Sequence, residues 1–381
     1  MTRFLVKDLV KTNVSCYNKS DNWEYINYLD TGNLTNNVIS EVVKLIPGED
    51  TIPSRAKRKV KQGDILYSTV RPNQCHFGYM KNLLDNMLVS TGYAVLEPLS
   101  DKICGKYLYY YLTQREIVEY LHSIAEGTVS TYPSIQPKDI EKISIDMPDL
   151  DEQKAIASVL STYDDLIEKN NRKIQILQDM AEELYKEWFV RFRFPGYNTA
   201  KFENGIPKDW GVDKIKNKVN RLPFNKLYKE ADLEKEGNVI VIDQSEKEYL
   251  GFHNNEPSHV ASIDEPICLF GDHSCKFQLM SEPFSLGENV VPFKGLGVNS
   301  YYLFYATYHI IETEEYKRHW GLFTSKKIFI PPEPLQDKFA EFIKDIQQQT
   351  NTIIKCQRLL IKQRDLLLPR LMSGKLEVKV K

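Results

Sequence analysis

The residues best suited to chemistry in this chain are cations and amides in turns, and the chemistry they suit is recognition of nucleic acid. Ser54–Lys61 holds five cations in eight residues, Arg55, Lys57, Arg58, Lys59 and Lys61. Such a run suits phosphate contact, which favours clustered Lys and Arg. The turn Ser68–His76 follows, with Thr69, Arg71, Asn73 and Gln74. Arginine can fork onto guanine, and asparagine or glutamine onto adenine, in the major groove. A third segment, Glu126–Ser134, offers Thr128, Ser130, Thr131 and Tyr132 for phosphate, sugar or base contacts. Later segments echo these: Gly271–Gln278 with His273 and Lys276, and Arg318–Lys327 with Arg318, His319, Trp320 and Lys326. The plainer alternative is a solvated charged face and loops that only cover a core.

Signals for an enzyme are weaker. Phe293-Lys294-Gly295-Leu296-Gly297 looks like the loop that cradles S-adenosylmethionine in adenine methyltransferases. The Asn/Asp-Pro-Pro-Tyr/Phe motif of those enzymes is missing, and a tight turn between strands explains the glycines better. Asp149, Glu152 and Lys154 superficially follow a nuclease pattern, but at a helix start acidic residues serve as caps. His253, His259, Cys268, His273 and Cys275 cluster without a Cys-x-x-Cys or a tight His pair, which argues against zinc. No P-loop appears. We therefore expect no catalytic residues, no metal and no cofactor.

The 381 residues suggest two or three domains. No run of eighteen apolar residues is present, so no membrane span is expected, and the first residues are too short an apolar stretch for a secretory signal. Six scattered cysteines fit reduced thiols and a cytoplasmic location. The net charge of −2 speaks against a uniformly basic DNA binder. Only residues 336–381 are basic, with 10 Lys and Arg against 5 Asp and Glu. DNA binding must then rest on local patches.

These patches need elements to hold them, and the elements repeat. After Pro148, seam residues fall at Ile156, Leu160, Tyr163, Ile167, Asn170, Ile174, Leu177, Ala181, Leu184 and Trp188, in alternating steps of four and three. That is a heptad seam, with Asn170 as a polar interruption able to fix register. Adding 186 to each position gives a second seam with Phe342, Ile346, Gln349, Ile353, Cys356, Leu360, Gln363, Leu367 and Arg370. Pro369 should end or kink it, and Ser373-Gly374 supplies a stop. Asp149 with Glu152 reads as a capping box.

Short strands are expected at Ile65–Thr69, Tyr93–Leu96, Val239–Ile242 and Ile328–Ile330, and tyrosine-rich helices at Tyr107–Leu121 and Tyr301–Ile311. The fold class is α+β: two pseudo-symmetric α+β domains joined by two long antiparallel helices as a coiled-coil spacer. The first domain covers 1–150, a central helix 151–193, the second domain 194–335 and a distal helix 336–381. Residues 152–190 as one helix would span roughly 58 Å.

The chain resembles the specificity (S) subunits of type I restriction–modification systems. The residues that carry this are Pro148–Ala157 and Leu184–Val190 around the first long helix. Phe194-Pro195-Gly196-Tyr197, Gly205–Trp210 and Leu366–Leu376 add to it. One departure is Asp337-Lys338 where the first copy has Glu152-Gln153. The resemblance implies a non-catalytic subunit with two target-recognition domains, each reading half of a split site in double-stranded DNA. It implies spacer helices that dock two modification (methyltransferase) subunits, with restriction (nuclease-translocase) subunits in the full complex. The competing readings are a scaffolding adaptor or decoy without sequence-specific DNA binding, and a methyltransferase in its own right.

Overall fold

The structure, a computed structural model, describes residues 2–127, 132–245, 247–312 and 317–378. It divides into two compact units, Met1–Glu168 with Arg358–Lys381, and Lys169–Gln357. The long helices, Leu150–Tyr185 (the central helix) and Glu333–Met372 (the distal helix), each contribute to both. The α+β class holds, and the strands repeat the same plan in the two units.

In the first unit Val10–Thr12, Tyr93–Pro98, Ile65–Ser68 and Phe77–Tyr79 form an antiparallel sheet in that order. A second sheet pairs Ile26–Leu29 parallel to Met87–Ser90, with Val43–Leu45 and Ala56–Lys59 at its edges. In the second unit Val219–Arg221, Val290–Gly295, Ile267–Gly271 and Phe277–Met280 repeat the first sheet. Val239–Ile242 runs parallel to Phe284–Leu286 and antiparallel to Gly251–His253. The strand that leads into each long helix, Ser144–Met147 or Lys327–Ile330, pairs with an early strand of its unit, Thr2–Leu5 or Gly211–Lys214.

The tyrosine-rich helices lie against these sheets but are shorter than expected. The first breaks at Thr113 into Gly105–Leu112 and Arg115–Glu126, and the second is Ser300–Thr307. Most of their tyrosines are core residues, with Tyr107, Tyr301 and Tyr302 essentially inaccessible, but Tyr120 is exposed.

Asp149 caps the central helix by accepting the Asp151 and Glu152 backbone N–H groups at 3.1 and 3.0 Å. The helix leaves through a π-helical turn at Lys186–Val190, which buries Trp188 and Phe189 side by side. In the first unit, early turns of the central helix meet late turns of the distal one. Ile156, Ala157 and Leu160 share a core with Leu371 and Met372. In the second unit Ala181, Trp188 and Phe189 share a core with Phe339, Ala340 and Ile343. Within each unit the helix segments are therefore antiparallel. The distal helix passes Pro369 without ending and stops at Gly374 (φ +68°), where the Gly374 N–H reaches the Leu371 carbonyl.

The distal seam corrects the expected register. Gln153 is buried, accepts the Cys104 N–H at 2.9 Å and donates to the Pro148 carbonyl at 2.9 Å. Gln336 is buried, accepts the Asn299 N–H at 2.9 Å and donates to the Pro331 carbonyl at 2.7 Å. The two glutamines are equivalents, 183 rather than 186 residues apart. The departure at the second helix entry thus narrows to Leu335 where the first copy has Glu152. A three-residue error in a seam stepping by three and four leaves half of the positions correct. Ile346, Ile353, Leu360 and Leu367 are on the seam and half-buried, whereas Gln349, Cys356, Gln363 and Arg370 are exposed. Phe342, expected inside, is 49% exposed, and its place belongs to the fully buried Phe339. On the central helix Ile156, Leu160 and Trp188 are buried, and Ile167, Asn170, Ile174, Leu177 and Leu184 are half-buried. The observed polar pair is Asn171 with Gln357, at 2.7 Å.

Candidate nucleic-acid interface

The basic run of the first unit lies on and beside the edge strand Ala56–Lys59, so its side chains alternate between two faces. Arg58 points inward and donates to the Asn13 side chain and the Tyr93 carbonyl. Lys59 pairs with Asp21 at 2.6 Å and lies over the Trp23 ring. Lys61 pairs with Glu97 at 3.1 Å. These three already have partners. Arg55 and Lys57 stand exposed.

A hollow of about 360 Å³ opens beside Lys59 and Lys61, walled by Trp23, Leu84 and Asp64. Burial pushes the Asp64 carboxyl up to about 6, against the backbone N–H of Lys61 that it accepts at 2.7 Å.

The turn after Ile65–Ser68 is held by backbone bonds to the segment that contains Tyr132. The Arg71 N–H reaches the Pro133 carbonyl, and the Ile135 N–H reaches the Thr69 carbonyl. Arg71 is left-handed at φ +46°, and its guanidinium lies 5.1 Å from the Tyr132 ring centroid. Two segments singled out separately in the sequence thus form one surface. Asn73 and Gln74 are exposed on it, whereas the Thr69 hydroxyl is taken up by the Gly92 carbonyl at 2.9 Å. Thr128, Ser130 and Thr131 lie outside the described residues.

The second unit differs. Arg318–Lys327 is not a loop like Glu126–Ser134. Trp320–Ser325 is a short helix packed on Ile215–Asn217, as Pro137–Glu141 packs on Val6–Asp8 in the first unit. Asp272 accepts the His319 and Trp320 N–H groups at 3.0 and 2.9 Å and so tethers this helix. His319 is only 1% exposed, and its ring nitrogen Nδ1 bonds the Asp272 carbonyl. The expectation that it meets DNA is therefore corrected: His319 is a packing residue. Lys276 bonds the Ser245 and Lys247 carbonyls, and burial lowers its pKa. It pins the neighbouring segment. The His273 backbone N–H donates to Gln244. Trp320 is half-buried, while Arg318 and Lys326 are exposed.

Sequence reasoning missed Arg221-Leu222-Pro223-Phe224-Asn225-Lys226-Leu227-Tyr228. Here Arg221 lies over Phe224 and Lys226 over Tyr228. Cations interleaved with aromatics are a legible signal for nucleic-acid contact, but the segment has few consecutive charges. The Phe293–Gly297 motif is the end of the strand Val290–Gly295 and the bend into the helix Ser300–Thr307, not a turn between strands: a side chain at Gly295 would meet the Val298 carbonyl at 2.0 Å, and Phe293 is core. Among the described residues no three His, Cys, Asp or Glu side chains gather as a metal site. Nor is any helix among them long and apolar enough to cross a membrane.

If Arg55 and Lys57 grip phosphate, replacing both by Gln weakens binding on all sequences. It also flattens the salt dependence of log K by about two phosphate contacts' worth of slope. Titrations of the full chain with duplex DNA at several salt concentrations check this; an unchanged slope assigns the pair to solvent.

Residues 2–178 match the sequence profile of the "Type I restriction modification DNA specificity domain". That places the first unit in a class of DNA-specificity modules. The chain is 34% identical over 165 residues to the type I restriction enzyme HindI specificity subunit of Haemophilus influenzae, covering 43% of this chain and 36% of the relative. It is 27% identical over 376 residues to the type I restriction enzyme MjaIX specificity subunit of Methanocaldococcus jannaschii, covering 89% and 84%. The fold is shared with the crystal structure of a type I restriction–modification S subunit from M. genitalium. That match has a TM-score of 0.55 at 15% identity, covering 97% of this chain and 95% of that one. Along most of its length the chain is thus similar to specificity subunits of type I restriction–modification systems.

Proposed function

We propose that each globule reads one half of a bipartite site in double-stranded DNA, with methyl transfer and cleavage left to partner chains. The target-recognition domains are then 1–150 and 194–335, and the spacer helices 151–193 and 336–381. The observation that carries this reading is the repeated sheet plan. The unit matched by the DNA-specificity profile and the second unit are built alike, but their exposed cations and aromatics differ. One chain thus carries two related but unlike faces, as an asymmetric split site requires.

The long helices dock two modification subunits, and restriction subunits join the full assembly. Leu166, Ile176 and Met180 on the central helix and Leu359 and Leu366 on the distal helix are exposed apolar side chains, which a partner would cover. The work is done in the cytoplasm.

Methylome sequencing of host cells with and without this chain tests the reading. A methylated motif of two short half-sites with a fixed gap is expected to vanish on deletion. Identical methylomes would favour the adaptor or decoy.

A further inference from the structure

Arg221 is the last residue of Val219–Arg221, an edge strand of the second unit's four-stranded sheet, and its side chain is exposed. Its guanidinium carbon lies 4.7 Å from the Phe224 ring centroid and 6.0 Å from that of Trp320. Several other exposed arginines are spent on carboxylates: Arg3 on Asp146, Arg115 on Glu119, Arg191 and Arg193 on Glu187. Arg221 forms no ion pair among the described residues. With Arg71 over Tyr132 in the first unit, it is one of two arginines stacked on rings among the described residues.

A guanidinium held against aromatic faces keeps its in-plane N–H groups available as a fork while much of its rotamer freedom is already lost. A fork with no acid to occupy it fits a pair of acceptors. DNA offers such pairs at the O6/N7 edge of guanine and on phosphate. Lys226 is exposed five residues on and lies 4.5 Å from the Tyr228 ring centroid, a compact charge better suited to backbone contact.

We propose that Arg221 reads a guanine in the half-site recognised by the second unit. This rests on the half-site reading above. The bland account is that Arg221 merely seals the aromatic cluster around Trp320, which includes Phe270, Phe293 and Phe323.

The test is methylome sequencing of host cells that carry the wild-type chain, Arg221→Lys or Arg221→Ala, with thermal melting of each purified chain. Lysine keeps the charge and loses the fork. In both variants discrimination for guanine should fall about 10- to 100-fold at one position of one half-site, with the other half-site unchanged. Several results overturn the proposal while the half-site reading stands. These are an unchanged motif, a uniform drop at every site with the motif intact (a phosphate grip), a wild-type half-site without guanine, or complete loss of methylation in both variants. A wild-type methylome with no bipartite motif attributable to this chain would instead sink the half-site reading, and this proposal with it. Lower melting with an intact motif would mark Arg221 as a seal on the core.

Discussion

Phe339→Ala should lower the unfolding free energy by about 3–5 kcal/mol, the cost of emptying a buried aromatic site. Phe342→Ala should cost less than about 1 kcal/mol, as a half-exposed position does. Phe339 is fully buried and meets Phe189 at 5.1 Å, Tyr305 at 5.8 Å, Trp188 at 6.0 Å and Tyr185 at 6.2 Å between ring centroids. Phe342 touches Trp188 edge-on at 5.8 Å but is otherwise half in solvent. The two phenylalanines are three residues apart on one helix, so the contrast measures the register of the distal seam. Urea unfolding of the full chain reads it. Equal losses, or a larger loss at 342, would restore the 186-residue offset.

Arg364→Ala should cost about 2 kcal/mol, between the cost of breaking a surface ion pair and that of breaking a buried one, because both partners are half-buried. Its guanidinium donates to Asp164 at 2.8 Å in the first unit, and the side chains are only 27% and 20% exposed. Asp164 also accepts the Tyr110 hydroxyl at 2.5 Å, which ties the pair to the tyrosine-rich helix. Without the arginine, the carboxylate keeps the Tyr110 hydroxyl but loses its countercharge. The double change Asp164→Leu with Arg364→Met should recover most of the loss, because it removes both charges and fills the space. A single-variant loss below about 1 kcal/mol would class the pair with surface ion pairs. In either case the loss should respond weakly to added salt, since burial limits screening.

Much of this was legible in the chain. The heptad steps from Ile156 to Trp188 marked the central helix, because a sustained alternation of four and three is costly in any other conformation. The proline-terminated strands before each long helix, the α+β class and the repeat were legible for the same reason: local periodicity and turn chemistry act over a few residues. The distal register was not. Periodicity fixes which residues share a face but not which copy-to-copy offset is real, and it took the identical bonds of Gln153 and Gln336 to set it at 183.

The candidate interface divides in the same way. Arg55, Lys57, Asn73 and Gln74 are exposed, as their polarity suggests. Arg58, Lys59 and Lys61 are equally cationic by type, but their partners Asn13, Asp21 and Glu97 come from distant strands and turns. His319 looked like a reader and is a packing residue because Asp272, 47 residues away, claims it. Arg221 looked ordinary until Trp320 was brought beside it.

By itself the sequence determined the two-fold plan and the long helices, because these depend on local propensity and on residue types at short spacing. Only the tertiary structure decided which cations remain open to a ligand, because burial and pairing are set by side chains that meet across long stretches of chain.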